Sequence, residues 1–461
     1  MTVASEHPSS EQLATWVSKL VQIPSVNPLQ AGPRAGEPGE TRLAEMLAEQ
    51  FRQLGADLVE TVEVIDGRPN VYGIWEGTTD RWCVLDVHTD TVTVEHCEGD
   101  PFDGRIADGR VYGRGAVDTK ASMGVMLAVL EAARAEGRRL EPNLLVVGSI
   151  SEEAGGLLGA VGFREWATAR GLAPDEVIVA EPTMCAPIHG HKGGVALDIV
   201  VQGLAAHSAQ PHLGRNAVVA AAKLIMALDA EHHRLQALTP TTAVGNGTLT
   251  VSVINGGTGG NVVPDSCTVT VGRRIVPGED NEEVANQLIE LVERACPLPV
   301  EITRAYMGSP AFYQPPESPF VQKLASWAGT SPEVAPYGTN ALRYDGFAKQ
   351  MVVFGPGSID NAHTAVEYVE LSQLELCASV YRRWLGLARR NHGTAPYPSS
   401  FVTELALVVL AAGLGSRFGG TKRRRGRPIG RGHPRLHHRR CPPLPASTTS
   451  CSSSGGTSSS W

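Results

Sequence analysis

The chain has 461 residues, 42% of them hydrophobic and 19% charged, and a net charge of −8. That length admits two domains with sizeable cores, and no apolar run approaches the ~20 residues a membrane-spanning helix needs. Ten of the 40 Lys and Arg residues lie after Glu404, where no acidic residue occurs, so the preceding body sets 48 acidic against 30 basic side chains and is not a polyanion binder.

The first residues, Met1 to His7, show neither a basic leader nor an apolar core, which predicts no secretory signal and a cytoplasmic protein. Eight cysteines without a Cys-x-x-Cys pair fit a reducing compartment. A first helix is predicted from Ser9 or Ser10, with Leu13, Trp16, Val17, Leu20 and Val21 on one face before Pro24. A second runs from about 40 to 54 and stops at Gly55. Strands 70–76 and 82–88, helix 120–136, strand 143–150, helix 156–170 and strand 176–181 then alternate, which argues for an α/β fold with a mostly parallel sheet covered on both faces. From Gly190 the pattern changes to strand 195–202, helix 216–228, strands 247–254 and 266–276, helix 281–295 and strand 300–304.

Metal-type side chains recur where these segments end, and open α/β sheets place their chemistry there. The run from Trp82 finishes in His88-Thr89-Asp90. Side chains two apart on a strand share a face, so Asp90 is placed to hydrogen-bond one nitrogen of His88 and leave the other for a metal; an ordinary polar strand end is the alternative. Gly113 to Asp118 is a Gly-rich turn leading into a helix, where Asp118 is a ligand candidate or an N-cap. Strand 143–150 ends in Ser151-Glu152-Glu153, whose adjacent carboxylates point different ways: one can bind a metal while its neighbour faces water, or both belong to a solvated loop. Glu181-Pro182 closes strand 176–181, and Gly355-Pro356-Gly357-Ser358 follows Met351 to Phe354, with His363 beyond.

As an ordered set these motifs resemble the metallopeptidase family of acetylornithine deacetylase, succinyl-diaminopimelate desuccinylase, aminoacylase and glutamate carboxypeptidase. The resemblance implies a mostly parallel-sheet zinc-peptidase catalytic domain, residues 1–189 and 309–395, interrupted by an α+β, ferredoxin-like lid and dimerisation domain, residues 190–308. It implies one zinc on His88 and Glu181, a second on Glu153 and His363, Asp118 bridging both, Glu152 as general base, Asp90 supporting His88, and a cis peptide bond after Asp118. Nitrogen and oxygen donors with open positions suit two catalytic zinc ions, and cobalt or manganese also fits them.

In the lid, His207 matches the family histidine that reaches a partner subunit's active site and stabilises the oxyanion. Asn261 lies in a Gly-rich loop resembling one that binds substrate. Arg274 aligns with the arginine that grips the substrate carboxylate, and Arg273 takes that role if the register slips by one. Backbone amides from Gly355 through Gly357 to Ser358 are candidates for the same group. The expected reaction is hydrolysis of the amide bond of an N-acyl amino acid by a homodimer. A dipeptidase or carboxypeptidase with the same centre is the enzymatic alternative, and a small-molecule binding protein the different class. No membrane or nucleic acid partner is expected.

Residues 396–461 form a tail. Within it, 405–422 resemble the opening strand and glycine-rich loop of sugar-phosphate nucleotidyltransferases. Only 39 residues follow, against the ~200 such a domain needs, and their Arg-, Pro-, His- and Ser-rich composition cannot build a core. The expectation is a neighbouring reading frame joined here and then frameshifted, against a basic nucleic-acid-binding arm or a metal-loading tail using His433, His437 and His438.

Overall fold

The computed structural model describes residues 7–388 except Asp66; the nucleotidyltransferase-like segment lies outside them. Helix α1 (Ser10–Val21) begins where predicted. Ser9 and Gln12 form a reciprocal capping box, each side chain accepting the other's backbone N–H, so two otherwise orphaned donors are satisfied. Its buried face, Leu13, Val17, Leu20 and Val21, follows the 3.6-residue period. Helix α2 (Thr41–Gln53) stops at Gly55, whose φ of +80° is the left-handed conformation glycine tolerates best.

The elements that follow are β1 (Leu58–Ile65), β2 (Arg68–Trp75), β3 (Trp82–His88), β4 (Ile106–Ala107), β5 (Arg110–Tyr112), α3 (Lys120–Ala135), β6 (Asn143–Ser149), α4 (Leu158–Ala169), β7 (Glu176–Val179) and β8 (Ile188–His191). Then come β9 (Gly193–Gln202), α5 (Ala217–Gln236), β10 (Thr248–Gly256), β11 (Ser266–Ile275), α6 (Asn281–Ala295) and β12 (Val300–Ser309). The chain returns through β13 (Phe312–Tyr313), α7 (Pro319–Ala328), β14 (Glu333–Ala335), β15 (Gln350–Val353), β16 (Tyr368–Glu370) and α8 (Leu371–Trp384).

The large sheet has the order β1-β2-β6-β3-β7-β15-β8-β13, with β14 also paired to β8. Parallel pairing holds for the four central strands, β6, β3, β7 and β15, while β1, β2, β8 and β13 pair antiparallel around them. Both faces are covered, as a parallel centre requires. Apolar side chains of α1, α2, α3, α7 and α8 fill one side, among them Leu127, Phe320 and Trp384. Tyr72, Phe163, Trp166 and Tyr344 fill the other, with Tyr72 stacked on Trp166 at 4.2 Å between ring centroids.

Between β8 and β13 the chain builds a separate antiparallel sheet, β10-β11-β9-β12. With α5 and α6 on one face this is the ferredoxin-like βαββαβ arrangement, and it has its own core of Leu197, Ile199, Leu224, Val269 and Leu288.

Candidate metal centre

Neighbouring parallel strands bring their C-terminal ends to one edge, spaced by about 4.8 Å. His88 is the last residue of β3, Glu152 and Glu153 come just after β6, and Glu181 follows β7. Asp118 sits in the turn before α3, and His363 in the loop between β15 and β16 with φ of +60°. The Asp118–Thr119 peptide bond is cis, as the resemblance implied.

These residues converge. His88 Nε2 lies 3.0 Å from Asp118 Oδ1, and His363 Nε2 lies 3.1 Å from both Asp118 Oδ2 and Glu153 Oε1. Donor atoms of His88, Asp118 and Glu153 fall within 4.8 Å of one another, as do those of His88, Glu152 and Glu181. Every predicted metal ligand is therefore in one cluster, with Asp118 at its middle.

Four carboxylates share this space with two imidazoles. Burial, then the neighbouring carboxylates, pushes Glu152 and Glu181 well above the usual carboxylate range, and the same causes bring Glu153 to about 7. Burial would raise Asp118 too, but hydrogen bonds from His363 and His88 hold it below its ordinary value. Those contacts, with Glu153, carry His363 to about 10. Asp118 and the nearby glutamates raise His88 well above its ordinary value against the opposing effect of burial. Such crowding of buried acids is relieved by added cations, and a His and carboxylate donor set suits divalent metals.

One expectation is corrected. The Asp90 carboxylate is 3.7 Å from His88 Nδ1; the near partner is Asp90's own backbone carbonyl, at 2.9 Å. A carbonyl only accepts, so Nδ1–H donates to it, while Nε2 faces Asp118 Oδ1 in the cluster at 3.0 Å. The reason is that β3 ends at His88, and the shared-face rule ends with it. The Asp90 carboxylate instead accepts the backbone N–H groups of Glu152 and Glu153 at 3.0 Å each, and the Asn27 amide at 2.7 Å.

The reading of the Gly355 and Gly357 amides is corrected in the same way. Gly355 N–H donates to Thr183 Oγ1 at 3.2 Å and Gly357 N–H to Gln373 Oε1 at 3.3 Å, so both amides assigned to substrate are engaged internally. The Ser358 hydroxyl accepts Asp360 N–H at 3.2 Å and keeps its own proton to donate.

His207 and Asn261 come together on adjacent lid loops, where Ser208 N–H donates to the Asn261 carbonyl at 2.9 Å. Both are exposed, and among the described residues neither is hydrogen-bonded to the ligand cluster. On β11, Arg273 is buried and paired with Glu279 at 2.5 Å, while Arg274 projects exposed on the other face. Arg273 is thereby engaged within the lid, whereas Arg274 faces solvent.

Sequence reasoning missed the residues behind the site. Asn27 also donates to the Ala154 carbonyl at 2.9 Å, and Gln30 to that of Glu153 at 3.1 Å, so the N-terminal loop grips the Glu152–Glu153 turn. Buried Asp86, two residues before His88, accepts Tyr344 Oη and Ser149 Oγ at 2.7 Å and Asn340 Nδ2 at 3.0 Å. A charged residue alternating with Leu85 and Val87 inside an apolar strand was the one available signal for that network.

Residues 84–386 match the sequence profile of peptidase family M20/M25/M40. The chain belongs to this family. It is a family of metal-dependent hydrolases. Acetylornithine deacetylase from Vibrio campbellii is 30% identical over 81% of this chain and 98% of its own length. The Myxococcus xanthus enzyme of the same name is 33% identical over 64% of this chain and 77% of its own. A tripeptidase structure from Staphylococcus aureus, 21% identical, shares the fold with a TM-score of 0.67 over 82% of this chain and 98% of the other. No described helix is long and apolar enough to cross a membrane.

Proposed function

We propose that this M20 chain is a two-zinc amidohydrolase that removes the acyl group from an N-acyl amino acid, in the manner of acetylornithine deacetylase and succinyl-diaminopimelate desuccinylase. The observation that carries the reading is the placement of Asp118, whose two oxygens face different histidines. His88 and Glu181 would hold one cation, Glu153 and His363 the other, and Asp118 would be shared; cobalt or manganese fits the same donors. When bound, the two cations supply Lewis acidity, lowering the pKa of water and polarising the amide carbonyl.

Glu152 belongs to the cluster but makes none of the histidine contacts that Asp118 and Glu153 make, and we assign it the general base. It takes the proton of the attacking water and returns it to the leaving amine. Asp90 orients it by accepting its backbone N–H. Arg274 offers a two-pronged fork to a substrate carboxylate, Asn261 binds substrate from the lid, and His207 stabilises the oxyanion in a partner subunit's site.

The lid is also the proposed homodimer surface. Val219 and Met226 on α5 are exposed, as are Val253 and Ile254 on the edge strand β10. We place the enzyme in the cytoplasm. The test is amine release from N-acetyl amino acids, N-succinyl amino acids and dipeptides by zinc- or cobalt-loaded protein. Turnover confined to one acyl class names the branch; no turnover of any, with two metals bound per chain, refutes the reading in favour of a binding role.

A further inference from the structure

Two turns of the site are held from behind by buried Arg–Glu pairs. Glu40, fully buried before α2, receives Arg68 Nε on Oε2 at 2.7 Å and Arg68 Nη2 on Oε1. The same Oε1 accepts the backbone N–H of Ser151 at 3.3 Å. Ser151 is buried with φ of +61°, a conformation uncommon for a residue with a Cβ, and Glu152 follows it directly. Because Asp90 takes the next two N–H groups, three successive donors of the Ser151–Glu153 turn end on two buried carboxylates.

The second pair repeats the design. Glu367, 3% exposed, takes Arg114 Nη1 on Oε2, and on Oε1 it accepts the N–H groups of Val117 at 3.1 Å and Asp118 at 3.2 Å. Arg114 also donates to the carbonyls of Thr93 and Thr364 at 3.3 Å each, tying the Asp118 turn to the segment that carries His363. Buried ion pairs are weak devices for stability, since desolvation offsets their attraction. What these two share is a carboxylate aimed at the backbone of a site turn, with an arginine fixing its rotamer.

We propose that Glu40–Arg68 and Glu367–Arg114 are positioning pairs with divided labour: the first aims Glu152, and the second sets Asp118 and so the affinity for both metals. The inference rests on the proposed roles of Glu152 and Asp118. Its test compares the full-length variants Arg68→Met and Glu367→Gln with Glu152→Ala by zinc titration and by turnover of whichever N-acyl amino acid the parent hydrolyses.

Arg68→Met keeps two zinc ions and a KM within about twofold, and loses ~10–100-fold in kcat; Glu367→Gln loses ~10–100-fold in zinc affinity and regains turnover at saturating zinc. Arg68→Lys, which keeps the charge without the two-pronged contact, retains part of kcat and replaces the Met variant if that fails to fold. Lower melting temperatures with unchanged kcat and zinc affinity would make both pairs mere props and overturn the proposal. Loss of the same quantity in both would overturn the division of labour. Full turnover by Glu152→Ala would defeat the general-base reading and the Arg68 half with it, while the zinc titration still decides the Glu367 half.

Discussion

Asp118 Oδ2 lies 3.1 Å from His363 Nε2, while Asp118 Oδ1 turns the other way, to His88 Nε2 at 3.0 Å. One carboxylate thus joins a strand end in the first third of the chain to a loop near the end of the catalytic fold. Asp118→Asn removes the charge that both positions share, so bound zinc should fall below two per chain, measured by elemental analysis, and turnover should fall ~100-fold or more.

Glu152→Ala separates chemistry from binding. Removal of a general base costs typically ~100-fold or more in turnover, and the variant should still bind two zinc ions because the His88, Asp118, Glu153, Glu181 and His363 donors remain. Steady-state kinetics alongside a zinc titration reads both; loss of zinc in step with activity would recast Glu152 as a ligand.

Metal loading should release protons. Without metal, Glu153 titrates near 7, Glu152 and Glu181 well above the usual carboxylate range, and His363 near 10. At neutral pH the site therefore holds protons that a cation must displace, so affinity rises with pH. Calorimetric zinc titrations in two buffers of different ionisation enthalpy should report net proton release, and affinity should increase from pH 6 to pH 8. Proton uptake on binding would contradict this electrostatic account.

Buried His191, at the end of β8 and facing Thr339 Oγ1 at 3.0 Å, predicts an acid limb of stability. Burial pushes it down to about 4 from 6.5, against a weaker opposing contact with the Lys192 carbonyl. Its folded value lies below its unfolded one, so the unfolded chain binds the extra proton between pH 6.5 and 4. Stability is complete above 6.5 and is lost as pH falls through that window, by up to about 3 kcal/mol. Urea unfolding from pH 7 to pH 4 should show this loss, with a shallower slope in His191→Gln.

The two arginines of β11 should fail differently. Arg274→Ala should raise KM about 10-fold or more with stability unchanged, because the side chain is exposed and free to grip a carboxylate. Arg273→Ala should cost about 1–3 kcal/mol of stability, because it strands Glu279. The reverse pattern would move the substrate contact to Arg273.

The proposed metal ligands other than His363 were legible because they stand beside an apolar strand or a Gly-rich turn, and parallel strands bring their ends together. The lid's strands and helices were legible from their periods. β1 was not: Glu60 and Glu63 interrupt its apolar residues, as suits an edge strand paired on one side. The role of Asp90 was misjudged because local spacing fixes a face within a strand and says nothing past its end. The supporting shell of Asn27, Glu40, Arg68, Arg114 and Glu367 was illegible for a deeper reason. These are tertiary pairings between distant segments, and no local pattern marks a buried arginine before its partner is known.

The central claim is most directly tested by anomalous diffraction from zinc-loaded crystals. The account predicts two zinc peaks flanking Asp118, one against His88 and Glu181 and the other against Glu153 and His363. A single peak, or zinc bound away from Asp118 at full loading, would contradict it.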